Sequence, residues 1–340
     1  MAVGVALVVV AAPPAAAHTV TGVSPTNYKS ELLAVTPPVP GVSLRLLDLG
    51  NRIELVNHNR FTVVVLGYSG EPYLRVGPTG VFENTHSPAV YLNKAAAGSS
   101  TSLPRQADAS APPSWHRTST SPSVKWRDRR TRWGDPAPPA VKGDPGRAHV
   151  VSEWIIGLRQ GSATAQVSGR ITYVPGPSAI PWLALAVALF LLTAAASFLR
   201  RWGPVLSGAL ALVIAVDVVH SFGIAAATHD PVLLQVGRVL AGGIVATMGW
   251  VVGAAVIGAV QDQREGGVVG AGVAAFLLAV FSGMGDLSTL TRSQVPYTFS
   301  ASAARAAVAI TIGVGFGLVA ASVAITRHAR ATTSTETAET

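Results

Sequence analysis

The histidines of the N-terminal half, and one aspartate–histidine pair in the C-terminal half, are the residues here whose types and spacing point to chemistry. His18 follows the run MAVGVALVVVAAPPAAA, a short apolar core ending in Ala15-Ala16-Ala17. That pattern reads as a secretory signal over residues 1–17, and cleavage after Ala17 would make His18 the mature N-terminus. A terminal histidine can chelate Cu(II) through its α-amino nitrogen and its ring. A second imidazole would complete the tetragonal nitrogen set that this ion prefers. His58, His86, His116 and His149 are the candidates, and spacing does not choose among them. The plainer reading of His18 is a frayed terminus.

Asp217 and His220 stand three apart in an apolar run, so on a helix they share a face. Ionisable groups inside a membrane helix cost about 2.5–3.5 kcal/mol on insertion scales and turn toward the bundle interior. Arg238 is the expected counter-ion of Asp217, and Asp286 is expected to pair with Arg305 or Arg292. An ion or proton relay is one reading of this polar cluster, with Met248 and Met284 as soft ligands for Cu(I). The other is a polar clamp between helices, with the methionines as filler.

The elements that position these groups fall into two halves. Ile180–Leu199 is an uncharged run of about 20 residues, enough to cross a hydrocarbon core of roughly 30 Å. Arg200, Arg201 and Trp202 follow as an interfacial stop. Further spans are expected at 205–226, 233–260, 268–287 and 305–325, the third long enough to tilt. With the N-terminal domain exported, Arg200, Arg201, Arg264, Arg327 and Arg330 fall on the cytoplasmic side, as the positive-inside rule prefers. Residues 327–340 read as a disordered cytoplasmic tail. The glycines at 313, 315 and 317 suit close helix contact.

Residues 18–177 read instead as an exported all-β domain, an immunoglobulin-like sandwich of short strands separated by Gly, Pro and Asn turns. Strands are expected at Ser43–Leu49, Arg52–Asn57, Phe61–Leu66, Pro72–Val76, Val81–Glu83, Ala89–Leu92, Val150–Leu158 and Ala163–Val174. Residues 95–146 read as an irregular loop with Trp115, Trp126 and Trp133 as anchors. Pro175-Gly176-Pro177 is a stiff joint to a five-helix bundle.

The stretches Pro25-Thr26-Asn27-Tyr28-Lys29-Ser30, Ile53–Asn57, Val65-Leu66-Gly67-Tyr68, Glu71-Pro72-Tyr73-Leu74, Ser87-Pro88-Ala89, Tyr91-Leu92-Asn93 and Leu290–Pro296 together carry a resemblance. The chain resembles a family of uncharacterised actinobacterial membrane proteins, whose genes resemble neighbours of copper-handling genes. The family's Trp-His-Asp-His-Arg-x-His-Trp block is matched here by Trp126-Arg127-Asp128-Arg129-Arg130-Thr131-Arg132-Trp133. Its three histidines are arginines in this chain, and a guanidinium offers donors only, so it cannot replace imidazole as a metal ligand.

The net charge of +8 lies mostly in residues 18–179. A basic exported domain suits an anionic envelope polymer, an envelope protein or lipid headgroups, and Trp126, Arg127, Arg129, Arg130, Arg132 and Trp133 are the candidate contact surface. No basic stripe on a nucleic-acid-binding fold is present, so nucleic acid is not an expected partner. The chain has no cysteine, which excludes disulfides and thiol chemistry. No Ser–His–Asp order or HExxH helix stands out. The reading is a non-enzymatic membrane protein with an exported binding domain; the alternative is copper binding or transfer.

Overall fold

The computed structural model describes residues 22–94, 102–134 and 136–339, with side chains described as far as residue 331. The expected signal segment and His18 lie outside the described residues.

The N-terminal part is built from β1 (Tyr28–Thr36), β2 (Val42–Leu47), β3 (Arg52–Asn57), β4 (Val63–Leu66), β5 (Pro72–Gly77) and β6 (Gly80–Asn84). Then come α1 (Pro88–Lys94), β7 (Trp115–Ser119), β8 (Ser123–Trp126), α2 (Pro139–Gly143), β9 (His149–Gln160) and β10 (Ala163–Tyr173). Seven strands form one antiparallel sheet in the order β1-β10-β9-β4-β5-β6-β7, and β2-β3-β8 form a second. The two share one apolar core. Ile53, Leu55 and Trp126 of the small sheet meet Val63, Val65, Trp154, Ile156, Leu158 and Val167 of the large one. Alternation explains the faces: Trp154, Ile156 and Leu158 of β9 are buried, whereas Glu153, Ile155 and Arg159 are exposed.

Two expectations change here. Ala89–Leu92 belongs to helix α1, not to a strand. Ser87 Oγ accepts from the Ala89 N–H and Pro88 begins the helix, the pairing of polar cap and leading proline that starts helices. Within the expected loop 95–146, Trp115–Ser119 and Ser123–Trp126 are strands, one in each sheet.

The C-terminal part contains α3 (Ile180–Ala195), α4 (Trp202–Ala226), α5 (Val232–Gly237), α6 (Ile244–Gln261), α7 (Glu265–Leu277) and α8 (Ala301–Glu339). Among the described residues five helical segments, Ile180–Phe198, Trp202–Ala226, Ile244–Gln261, Glu265–Met284 and Ala301–Ala331, are long and apolar enough to cross a membrane. This is the build of a multi-pass membrane protein. The third expected span is broken. Residues 232–242 form a short apolar helix whose last turns, Arg238–Gly242, are π-helical, and Gly243 leaves helical geometry before α6. A second π-helical stretch, Leu278–Met284, continues α7. Such turns recur at functional sites because they re-aim side chains. The tail expected to be disordered continues α8.

Leu206, Leu210, Val213, Leu278, Val314 and Leu318 fill the bundle core. Gly313 sits directly against the Ala186 carbonyl of α3, where an added Cβ would collide. The small residue is therefore what lets α3 and α8 approach, as expected.

Candidate functional site

The β domain and the bundle are joined along two seams. In the first, Thr26 and Gln294 exchange backbone hydrogen bonds of 2.9 and 2.8 Å. Beside them Ser293 donates its N–H to Asn27 Oδ1 at 2.9 Å and its hydroxyl to the Val174 carbonyl at 2.9 Å. In the second, Arg52 of β3 donates to Asp48 and, at 2.7 Å, to Asp230 in the loop after α4. Arg238 holds the other Asp230 oxygen. Lys125 donates to the His229 carbonyl at 2.7 Å, and the His229 ring lies 3.3 Å from Asp48. Burial pulls the Asp230 carboxyl upward, but Arg52 and Arg238 outweigh it and hold it below the usual carboxylate range.

Between these seams lies a cavity of about 140 Å³. Val23 and Pro25 of the β domain line it from one side. Ser221, Trp250, Ser282, Asp286 and Thr289 supply its polar groups from the bundle. A volume of this size holds a few waters or one small ion.

The polar cluster stands against this cavity. Asp217 is wholly buried. It accepts from Trp250 Nε1 at 2.7 Å and from the Ser282 hydroxyl, so one carboxylate ties α4 to α6 and to the π-helical stretch after α7. His220, one turn on, bonds through Nε2 to Asp286 Oδ2 at 3.1 Å. Its Nδ1 is buried without a hydrogen-bond partner among the described residues. Tyr297 covers the ring, with centroids 5.3 Å apart. It also packs on Gly223, where any Cβ would meet the phenol ring.

Asp217, His220 and Asp286 are thus brought together, but their expected cationic partners are not. Arg238 serves Asp230 instead of Asp217, because the break at Gly243 places it beside the loop after α4. Arg305 pairs with neither Asp286 nor any other carboxylate among the described residues. It donates to the Thr289 and Arg292 carbonyls at 3.2 and 2.8 Å, capping the C-terminal end of the short helix Leu287–Leu290. Arg292 contributes that carbonyl. Met248 and Met284 are 55% and 47% exposed on the bundle surface and do not line the cavity.

The outer histidines stay apart. His58 is exposed beyond the end of β3. His86 bonds to the Pro112 carbonyl at 2.7 Å, and His116 is exposed on β7. His149 bonds to the Asp144 carbonyl at 2.7 Å and stacks on Tyr173 at the membrane-side end of the sheet. Among the described residues no three His, Asp or Glu side chains converge as a metal site.

The Trp126–Trp133 block is largely turned inward. Trp126 is buried and donates to the fully buried Asp128 at 3.2 Å. Arg130 grips Asp128 with Nε at 2.9 Å and Nη2 at 2.8 Å, and lies 4.7 Å from the Tyr68 ring centre. Burial lowers its pKa, yet the Asp128 carboxylate more than compensates and holds it above the usual guanidinium value. Arg132 donates to Asn51 at 3.2 Å, and Trp133 stacks on Tyr28 with centroids 5.7 Å apart. Arg129 binds Tyr68 Oη through its N–H at 3.1 Å. Only Arg127 of the six expected surface residues is exposed. The block locks the loop after β8 onto the large sheet.

Sequence reasoning missed Trp250, Ser282 and Tyr297, which are neutral and invisible to a search for charge. It also missed Asp48, Arg52, His229 and Asp230. Adjacent ionisable residues at the end of an apolar run, just before Pro231, were the available signal. Comparison of the chain with family models, curated proteins and solved structures finds no match.

Proposed function

We propose that this chain is a non-enzymatic cell-envelope membrane protein whose extracytoplasmic β domain binds an envelope component and caps a proton-accepting chamber in the bundle. The observation that carries the reading is the His220–Asp286 pair, 3.1 Å apart, with Asp286 lining a cavity that β-domain residues Val23 and Pro25 help to close. A histidine and a carboxylate in hydrogen-bond contact can pass a proton to and from a chamber water. Asp217 positions the helices around them. The orientation puts the β domain outside and Arg200, Arg201 and Arg264 inside, in keeping with the basic bias of those loops.

Full-length protein reconstituted in liposomes with an internal pH-sensitive dye tests this. After an imposed pH step, protein-containing vesicles should equilibrate faster than empty ones, and Asp286→Asn should return the rate to that of empty vesicles. Equal rates for wild type and empty vesicles would overturn the reading.

The alternative is copper binding through a mature N-terminal His18, with transfer to the bundle. It rests on the chemistry of a terminal imidazole. Its test is Cu(II) titration of protein beginning at His18 against a control with one extra alanine before it. Nitrogen hyperfine structure lost in the control supports copper, and identical spectra sink it.

A further inference from the structure

The outward face of the seven-stranded sheet carries a row of side chains that the chamber does not use. Followed across the strands, Arg117 of β7 opposes Phe82 of β6, Phe82 opposes Arg75 of β5, and Arg75 opposes Val64 of β4. Val64 in turn opposes Arg159 of β9, and Arg159 opposes Thr164 of β10. Directly opposed residues point to the same side of a sheet. Their chain neighbours Val63, Val65, Val76 and Leu158 fill the core, so the row faces outward.

Cation and apolar side chain alternate along it: Arg117, Phe82, Arg75, Val64, Arg159. The arginines on the aromatic side are held in place. The Arg75 guanidinium lies 4.3 Å from the Phe82 ring centre and 4.8 Å from that of Trp115, and Arg117 lies 5.9 Å from Phe82. Such stacking orients a guanidinium without consuming its in-plane donors, and Arg117 gives one of its Nη2 donors to the Thr79 carbonyl, leaving the others for a ligand. Among the described residues, none of the three arginines is in a salt bridge. Basic groups elsewhere on this sheet differ: Lys29 and Arg170 are both paired with Glu31.

Strands in a sheet lie about 4.8 Å apart, so successive arginines stand about 10 Å apart and the row spans about 20 Å. The row also lies near the Gly161 turn, at the end of the sheet away from Tyr173, where the chain turns toward the bundle. Eight residues of strand lie between Thr164 and Tyr173, so the Arg159 end of the row stands about 30 Å along β10 from the residue where the chain leaves the sheet.

We infer that this row binds a linear acidic glycan in which a carboxylate-bearing sugar alternates with a neutral one. Two sugar rings of an extended glycan cover about the distance between successive arginines. Each carboxylate then meets one guanidinium fork, while the C–H face of each neutral sugar rests on Phe82 or Val64. A polyphosphate chain carries its charges more densely and offers no apolar face for those two residues. The inference rests on reading the β domain as the envelope-binding part of the molecule, but not on the chamber.

The test uses the full chain in nanodiscs of zwitterionic lipid. The probe is a hexasaccharide of alternating glucuronic acid and N-acetylglucosamine. Comparators are a neutral N-acetylglucosamine oligomer of equal length and an inorganic polyphosphate. The acidic glycan should bind best, and Arg75→Gln/Arg117→Gln/Arg159→Gln should weaken it roughly tenfold or more. Removing the same charge at Arg60, Arg105 and Arg147 should leave affinity unchanged. Arg159→Gln alone, which touches no ring, should weaken binding in the same direction if the triple variant fails to fold. No binding of the acidic glycan, equal or tighter binding of polyphosphate, or equal loss in the control variant would overturn the inference. Proton uptake by the triple variant should match wild type, so a failure here is distinguishable from failure of the chamber.

Discussion

Arg52 of the β domain and Asp230 of the bundle meet at 2.7 Å across 178 positions of sequence, and Arg238 grips the same carboxylate from the membrane side. One acidic residue therefore joins the two halves of the molecule. Asp230→Asn should weaken the docking by about 2 kcal/mol, the worth of charged hydrogen bonds. The sign of its pH dependence follows from the pairing. A carboxyl held below its ordinary value stabilises the docked state fully above the unfolded pKa of about 3.9 and loses that contribution as pH falls through the folded value. Protection factors against hydrogen exchange at residues 291–295, corrected for the intrinsic rate at each pH, should thus be high at neutral pH, fall only in strong acid, and be low at neutral pH in the variant.

The two aspartates of the cluster, one buried and one facing the cavity, should separate cleanly. Asp217 ties helices together through Trp250 and Ser282, so Asp217→Ala should lower thermal stability by about 3 kcal/mol, leaving two donors unpaired. Asp286 faces the cavity, and Asp286→Asn should shift stability by less than about 1 kcal/mol while abolishing proton uptake. Calorimetry and the dye assay on the same preparations distinguish them. Loss of uptake in neither variant would contradict the chamber reading.

The Trp126–Trp133 block should behave as a lock. Asp128→Ala strands the partly buried Arg130 guanidinium and should cost roughly 3 kcal/mol in β-domain melting. Arg130→Lys with Asp128 intact should also destabilise the domain, because an ammonium cannot reproduce the fork on Asp128 and the stack on Tyr68. Arg127→Ala, at an exposed position, should stay within about 0.5 kcal/mol.

Gly223→Val should displace Tyr297 from His220. The expected outcome is greater solvent access to the His220 ring, measured as faster carbethoxylation by diethyl pyrocarbonate. Helix content by circular dichroism should be unchanged.

The sequence is informative wherever one residue type decides the outcome. The alternation of Trp154, Ile156 and Leu158 marks β9, and the uncharged run from Ile180 marks the first span. β1 escaped because Tyr28–Thr36 has no fully buried position and no alternation; pairing with β10 makes it a strand. The break in the third span was written in Gly242-Gly243 but masked by the apolar residues on both sides. Asp217 and His220 stand out as costly groups in lipid, yet their partners come from three other segments. Neutral Trp250 and Ser282 and distant Asp286 are fixed by helix packing, which periodicity along one helix does not encode. The arginine row was hidden for the same reason: Arg75, Arg117 and Arg159 are scattered until strand register aligns them.

The backbone exchange between Thr26 and Gln294 also sets an order of events in biosynthesis. The contact from Asn27 to Ser293 spans 266 positions, so this seam stays open until the segment Glu265–Met284 has been made. Such long-range closure comes late in folding. Until Gln294 emerges, Thr26 presents unpaired backbone groups, and the chamber lacks the wall formed by Val295 and Pro296. A chain stalled after Glu265–Met284 would hold a folded β domain beside an open, polar-lined gap among its helices. That gap is a distinctive mark by which a quality-control protease could recognise an unfinished molecule.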